Sequence, residues 1–206
     1  MEEKEVKIIL LGESGVGKTS IIIRYYKNTF NLNLPSTFGS TFITKYLEKN
    51  DITYKLNIWD TTGQEKYHSV TKLFIHGADI AILVYAINNI NSFQKLDYWY
   101  KTIKDNCDDN VILAIVGNKC DLIYKNEDDK EAVFVSEEEG EKYAKEKNVK
   151  FKFVSAKDDK KGIDSLFNEL LNEYIAKNKS KISYTDESIK IDKKKTKKNP
   201  KKVGCC

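Results

Sequence analysis

Eight residues, Gly12 to Thr19, spell GESGVGKT. The pattern G-x-x-x-x-G-K-[ST] requires a strand before it and a helix after it, and the chain supplies both. Val6–Leu11 ends in an apolar run of strand length, and Ser20, Ile21, Ile22, Ile23 and Arg24 can begin a helix. Gly12, Gly15 and Gly17 let the backbone curl with its N–H groups pointing inward, in conformations that a side chain obstructs. Those N–H groups and the positive end of the following helix form an anion cradle. Ser14, Gly15, Val16, Gly17, Lys18, Thr19 and Ser20 are therefore candidate nucleotide-binding residues. Lys18 can reach β- and γ-phosphates, and the Thr19 hydroxyl can ligate Mg²⁺. A glycine-rich turn that binds nothing is the bland alternative, and the correct flanks weigh against it. The motif specifies a nucleoside triphosphate but not its base.

Charge is unevenly placed along the 206 residues. Lys179–Cys206 holds ten lysines against Asp186, Glu187 and Asp192, so about +7 of a net +4 lies there and the remainder is near −3. A mildly acidic body with a basic tail is unlike a nucleic-acid-binding surface, so no nucleic-acid partner is expected. It suits a soluble body with an electrostatic tether. MEEKEVKI lacks the basic start and long apolar stretch of a signal peptide, and Glu2 stands where N-myristoylation requires glycine. The longest apolar runs, such as Ile80–Ile87, are too short to span a bilayer. A reducing cytosolic setting is expected, in which Cys107, Cys120, Cys205 and Cys206 do not form structural disulfides.

Apolar strands alternate with amphipathic helices, the pattern of a mostly parallel sheet with helices on both faces. Strands are expected at Val6–Leu11, Asp79–Ile87, Val111–Gly117 and Val149–Ser155, and a hairpin at Phe42–Lys49 and Thr53–Trp59 around Asn50–Asp51. Helices are expected at Lys18–Tyr26, at Asn91–Cys107 with Asn91 as cap, at Ser136–Lys147, and at Ile163–Ala176. Phe30–Thr41 reads as a loop. The pattern makes residues 1–178 one α/β domain and 179–206 a disordered basic tail, where like charges repel and little can be buried.

The remaining candidates all fall at the C-terminal ends of expected strands, the edge where open α/β sheets bind ligands. In Trp59-Asp60-Thr61-Thr62-Gly63-Gln64-Glu65, Asp60 can hold Mg²⁺ through water. Gly63 can present its N–H to a γ-phosphate, and Gln64 can orient an attacking water. Asn118-Lys119-Cys120-Asp121 follows the fifth strand. The Asp121 carboxylate can accept hydrogen bonds from the ring N–H and 2-amino group of guanine, donors that adenine lacks. The Lys119 stem can lie on the base, and Ser155-Ala156-Lys157 can offer a backbone N–H to the base carbonyl. Alone, each string is more often a solvated loop; the order and spacing after the phosphate loop give them weight.

In that order GESGVGKT, WDTTGQE, NKCD and SAK resemble the Ras superfamily of small GTPases, over about Val6 to Tyr174. PSTFGSTF, YKLNIW, WDTTGQEKYHS and the Cys-Cys pair narrow the resemblance to the Rab branch, and FGSTFITK and EKYHSV are most similar to its early-endosomal group. The resemblance implies a three-layer P-loop domain that switches between GTP and GDP, and Mg²⁺-dependent hydrolysis with Gln64, Lys18 and Gly63 in the catalytic machinery. It implies that Thr37 closes on Mg²⁺ and the γ-phosphate, that Phe30 packs edge-on against guanine, and that Phe42, Trp59 and Phe74 face effectors. Plain core packing is the alternative for those aromatics. It further implies prenylation of Cys205 and Cys206, a monomer, and service by an exchange factor, an activating protein and a GDP dissociation inhibitor.

Two prenyl chains with the lysine run would hold a membrane firmly, at about 0.8 kcal/mol per buried CH₂. A vicinal disulfide, a solubilising tail or a nuclear localisation signal are the rival readings of that segment. The implied place is the cytosolic face of endomembranes, cycling with the cytosol, and the implied process is vesicle trafficking on the endocytic pathway. Several residues depart from the family pattern: Thr62 stands for a usual Ala, Ala86 for Asp, Phe38 for Ile and Phe74 for Tyr, and Asn126–Lys130 lengthens a loop. Thr62 is expected to perturb hydrolysis or the switch, and neither His68 nor His76 is expected to be catalytic. A GTP-locked scaffold with little hydrolysis is the alternative function. A P-loop kinase or ATPase is disfavoured by NKCD and by the absence of an arginine-rich lid, Arg24 being the only arginine.

Overall fold

The computed structural model describes residues 2–35, 37, 40–61, 73–123 and 133–195, and only the backbone of residue 40 and of residues 179–195. Six strands form one sheet: β1 (Glu2–Leu11), β2 (Ser40–Lys49), β3 (Ile52–Thr61), β4 (Ile80–Ala86), β5 (Ile112–Asn118) and β6 (Lys150–Val154). The spatial order is β2-β3-β1-β4-β5-β6. Only β2 is antiparallel to its neighbour; β3, β1, β4, β5 and β6 run parallel. This is the mixed α/β sheet that the alternating pattern predicts. The β2–β3 hairpin turns at Asn50 and Asp51, both at positive φ (52° and 61°), the conformation that a two-residue turn between twisted strands requires.

The helices are α1 (Lys18–Lys27), α2 (Ile90–Gln94), α3 (Leu96–Asn106), α4 (Glu137–Glu146) and α5 (Lys160–Lys195). Every residue of β4 and β5 is buried, as befits central strands covered on both faces. On one face Ile9, Leu11, Leu83, Tyr85 and Ile115 form a core with Leu96, Trp99 and Ile103 of α3. Alternation sends Ile8, Leu10, Ile82 and Val84 to the other face. There Tyr25 of α1 stacks on Phe167 of α5 with ring centroids 3.9 Å apart.

Among the expected boundaries that move, three differ most. β1 begins at Glu2 rather than Val6, because Glu2, Glu3 and Lys4 continue the parallel ladder beside Ile52, Thr53 and Tyr54. The single helix expected at Asn91–Cys107 is two helices that break at Lys95. Its cap is Asn89, not Asn91: the Asn89 side chain accepts the Ser92 N–H at 3.1 Å. The Ser92 hydroxyl, itself buried, donates to the Asn89 carbonyl at 2.6 Å, drawing this turn against the end of β4. The last helix runs to Lys195 instead of stopping at Ala176. No Gly or Pro interrupts the sequence between Gly162 and Pro200, so nothing in it punctuates the helix. By contrast α4 starts where the sequence places it, on Ser136 and Glu139, whose side chains satisfy each other's backbone N–H groups.

The chain divides into two units, Met1–Leu170 and Leu171–Cys206. The first carries the sheet and every residue discussed below except those of the tail. The second holds the rest of α5. No described helix is long and apolar enough to cross a membrane.

Candidate functional site: a nucleotide cavity at the sheet edge

The loops at the C-terminal ends of β1, β3, β5 and β6 converge on a cavity of about 440 Å³. Its floor is Ser14, Gly15, Gly17, Lys18, Thr19 and Ser20, its far wall is Asn118, Lys119, Asp121, Ala156 and Lys157, and Phe30 and Thr37 close a third side. The structure thus brings to one cavity segments that lie far apart in the sequence. Val16 is fully buried beneath the loop and Ser155 is buried behind it; neither lines the cavity.

The phosphate loop is held by close backbone approach. Gly17 has φ +99°, and a Cβ there would lie 2.3 Å from the Asn118 side-chain nitrogen. The Lys18 ammonium donates to the Gly12 carbonyl at 2.7 Å and the Glu13 carbonyl at 2.9 Å, so it arches over the loop. Glu13 is steadied in turn by the Trp99 indole N–H at 3.1 Å, a contact that no local pattern announced. Burial pushes the Lys18 ammonium down to about 8, while the charges of Asp60 and Glu13 pull the other way.

That shift has a measurable sign. Between about pH 8 and pH 10.5 the folded chain carries Lys18 neutral while the unfolded chain still protonates it. The unfolded state then binds more protons, so stability rises with pH across this window. Thermal melts of the nucleotide-free protein are expected to show that rise relative to Lys18→Met, and parallel curves for the two proteins would contradict the buried ammonium.

Beside Lys18 three oxygen-bearing side chains meet. The Thr19 hydroxyl donates to Asp60 Oδ2 at 2.7 Å and lies 2.9 Å from the Thr37 hydroxyl, which reaches the same carboxylate oxygen at 3.4 Å. The second Asp60 oxygen is buried and has no hydrogen-bond partner among the described residues. Burial raises the Asp60 carboxyl, against the Thr19 hydrogen bond and the Lys18 charge. A buried carboxylate oxygen left open beside two hydroxyls is the donor set of a hard cation.

The opposite wall is organised by Asn118. Its side chain donates to the Val16 carbonyl at 2.8 Å and accepts the Ala156 N–H at 3.0 Å, stapling the phosphate loop to the loop after β6. Ser155 donates its hydroxyl to Asp121 Oδ1 at 2.7 Å and receives the N–H groups of Lys157 and Asp158, each at 3.1 Å. Of the N–H groups in Ser155-Ala156-Lys157, those of Ala156 and Lys157 are thus engaged with protein oxygens here. Lys119 takes a left-handed φ of 72°, starting the turn that carries Asp121 into the cavity, and burial lowers its ammonium.

The expected effector aromatics are contiguous: Phe42 stacks on Trp59 at 5.0 Å, and Trp59 meets Phe74 at 5.5 Å. Phe42 is 54% exposed, which plain core packing does not explain. Ala86 ends β4 with its N–H donated to the Ser92 hydroxyl at 3.1 Å. Phe38, Thr62, Gly63, Gln64, His68, Asn126–Lys130, Cys205 and Cys206 lie outside the described residues. Asn88 and Leu122 line the cavity without having been anticipated. Arg24 does not line the cavity and grips the loop after β6 through Ala156.

The family model described as Ras family matches residues 7–176. The chain is 34% identical to the Ras-related protein RABA1b of Arabidopsis thaliana, over 97% of this chain and 93% of that one. It is 33% identical to the Ras-related protein Rab11B of Nicotiana tabacum, over 97% and 92%. It is also 33% identical to the Ras-related protein RIC2 of Oryza sativa subsp. japonica, with the same coverage. The chain belongs to the Ras family, as a small GTPase of the Rab branch that hydrolyses GTP.

Proposed function

We propose that the chain is a Mg²⁺-dependent GTP/GDP switch that recruits effectors to endosomal membranes and so regulates vesicle traffic on the endocytic pathway. The observation that carries the reading is Thr37. It belongs to the segment leading into β2, yet its hydroxyl lies 2.9 Å from that of Thr19 on the phosphate-loop helix. β2 also carries the exposed Phe42. Gain or loss of the Thr37 contact would therefore be felt on the aromatic face.

Thr19, Thr37 and Asp60 fit Mg²⁺, Asp60 through water, and the ion would supply positive charge to the β- and γ-phosphate oxygens. Lys18 would exchange its loop carbonyls for phosphate oxygens, and the amides of residues 14–19 would complete the cradle. Asp121 would read guanine's ring N–H and 2-amino group, with Lys119 and Phe30 against the base. Gly63 would donate to the γ-phosphate and Gln64 would orient water. Turnover would be slow alone. The only arginine is tied to the loop after β6, so an activating protein would supply the missing transition-state charge, a contribution of about 10³–10⁵ in rate. An exchange factor would release GDP. The locked scaffold has no observation of its own in its favour.

Cys205 and Cys206 would carry prenyl groups beside the lysine run, and a GDP dissociation inhibitor would shield them in the cytosol. The Rab11 and RABA names of the relatives support the endosomal assignment. The test is the distribution of the fluorescently tagged full chain in cells. Gln64→Leu is expected on endosomal membranes, and the Cys205→Ser, Cys206→Ser double variant diffuse in the cytosol. Membrane association that survives loss of both thiols would refute the anchor. A Gln64→Leu protein held at the plasma membrane or nucleus would refute the compartment.

A further inference from the structure

Arg24 stands alone among 35 Lys and Arg residues. It lies six residues after Lys18 on α1 and does not line the cavity. Its Nε donates to the Ala156 carbonyl at 2.8 Å, and one terminal nitrogen donates to the next carbonyl, that of Lys157. The other terminal nitrogen donates to the backbone oxygen of Asn28 at 3.1 Å and to its side-chain oxygen at 3.3 Å. Asn28 is the left-handed cap of α1, with its own N–H returned to the Arg24 carbonyl. One planar group thus bridges a helix end to two successive carbonyls of a loop 132 residues away in sequence.

That geometry needs a fork. A guanidinium presents five N–H donors in a fixed plane, whereas an ammonium presents three from a single point and cannot span these acceptors together. A chain that uses lysine at every other basic position keeps arginine where the fork is used. On the cavity side of the same loop, the Ser155 hydroxyl holds Asp121 Oδ1 at 2.7 Å. From Arg24 the connection therefore runs through Ala156 and Lys157 to Ser155, and from Ser155 to the carboxylate that faces the base.

We infer that Arg24 is a positioning residue for base recognition: it fixes Ser155–Lys157 so that Ser155 holds the Asp121 carboxylate in register with guanine's ring N–H and 2-amino group. The inference rests on the guanine reading of Asp121. It is tested by equilibrium displacement of a fluorescent GDP from the full chain by GDP, inosine diphosphate and ADP. Inosine diphosphate lacks only the 2-amino group. Arg24→Lys keeps the charge and loses the fork, with Arg24→Gln as the second variant should the first not fold. The preference for GDP over inosine diphosphate is expected to shrink tenfold or more in the variant. Ser155→Ala is expected to shrink it alike, and the double variant to shrink it no further, because the two residues act in one line. A purely structural role would weaken both nucleotides equally. An unchanged ratio in Arg24→Lys, or independent effects of Arg24 and Ser155, overturns the inference while leaving the switch intact. A wild-type chain that does not prefer GDP to ADP overturns the reading of Asp121 and this inference with it.

Discussion

Asp121→Asn is expected to lose GDP and to gain xanthosine diphosphate. Asp121 lines the cavity wall with one carboxylate oxygen already accepting the Ser155 hydroxyl at 2.7 Å. Asparagine keeps an oxygen for that contact, so the loop stays in place. The side-chain amide, however, presents a donor where guanine also presents donors. One hydrogen bond to the charged acceptor gives way to a donor–donor clash and the other keeps only a neutral acceptor, where each charged bond was worth about 1.5–3 kcal/mol. GDP affinity is therefore expected to fall by about 10²–10⁴-fold. Xanthine has a carbonyl where guanine has its 2-amino group and accepts from the new amide. Calorimetric titration with both nucleotides checks this. GDP binding unchanged by the substitution would remove Asp121 from the base site.

Gly12→Ala is expected to be the most damaging single methyl group in the phosphate loop. Gly12 has φ +143°, and a Cβ there would lie 2.1 Å from the Val84 carbonyl oxygen and 3.1 Å from its carbon. Both atoms are backbone of a fully buried central strand, and neither can swing away as a side-chain tip would. Overpacking of about 1–3 kcal/mol adds to backbone strain of about 1–3 kcal/mol. At about 2–4 °C per kcal/mol for a chain of this size, the nucleotide-free protein should melt roughly 5–20 °C lower. Gly15→Ala is the control: its φ is +73°, but a Cβ there meets nothing within 4 Å. Its cost is conformational alone, about 1–2 kcal/mol. Equal losses in the two variants would mean that φ, not the approach of β4, sets the requirement at Gly12.

The sheet was legible in the sequence because the continuous apolar runs of β4 and β5, the alternation in β3 and the Asn50–Asp51 turn are local signals. So were the phosphate loop and the α4 cap. The break at Lys95 was hidden, since Phe93, Leu96, Trp99 and Ile103 keep a helical stripe across it. Ser92 fixes the start of the first of the two helices, its hydroxyl bonded to Asn89 and to the end of β4. In the site, GESGVGKT, NKCD and SAK located the cavity, but not the traffic between its walls. Asn118 looks like a base reader and is also the staple from Val16 to Ala156. Trp99 looks like core and also steadies Glu13. The reach of Arg24 was hidden too, because its partners lie on the loop after β6. A lone arginine in a lysine-rich chain was the available signal. Residues that hold a site by contacts across 86 or 132 positions leave no periodic trace.

The most direct measurement is nucleotide content followed by single-turnover hydrolysis. The full chain is purified, its bound nucleotide extracted and identified, and the protein reloaded with GTP. Formation of GDP is then followed with Mg²⁺, beside Gln64→Leu. The expected result is co-purified guanine nucleotide, slow hydrolysis by the wild-type chain, and slower hydrolysis by the variant. Guanine nucleotide that neither protein hydrolyses would contradict the switch in favour of a locked scaffold, and adenine nucleotide would contradict the base site itself.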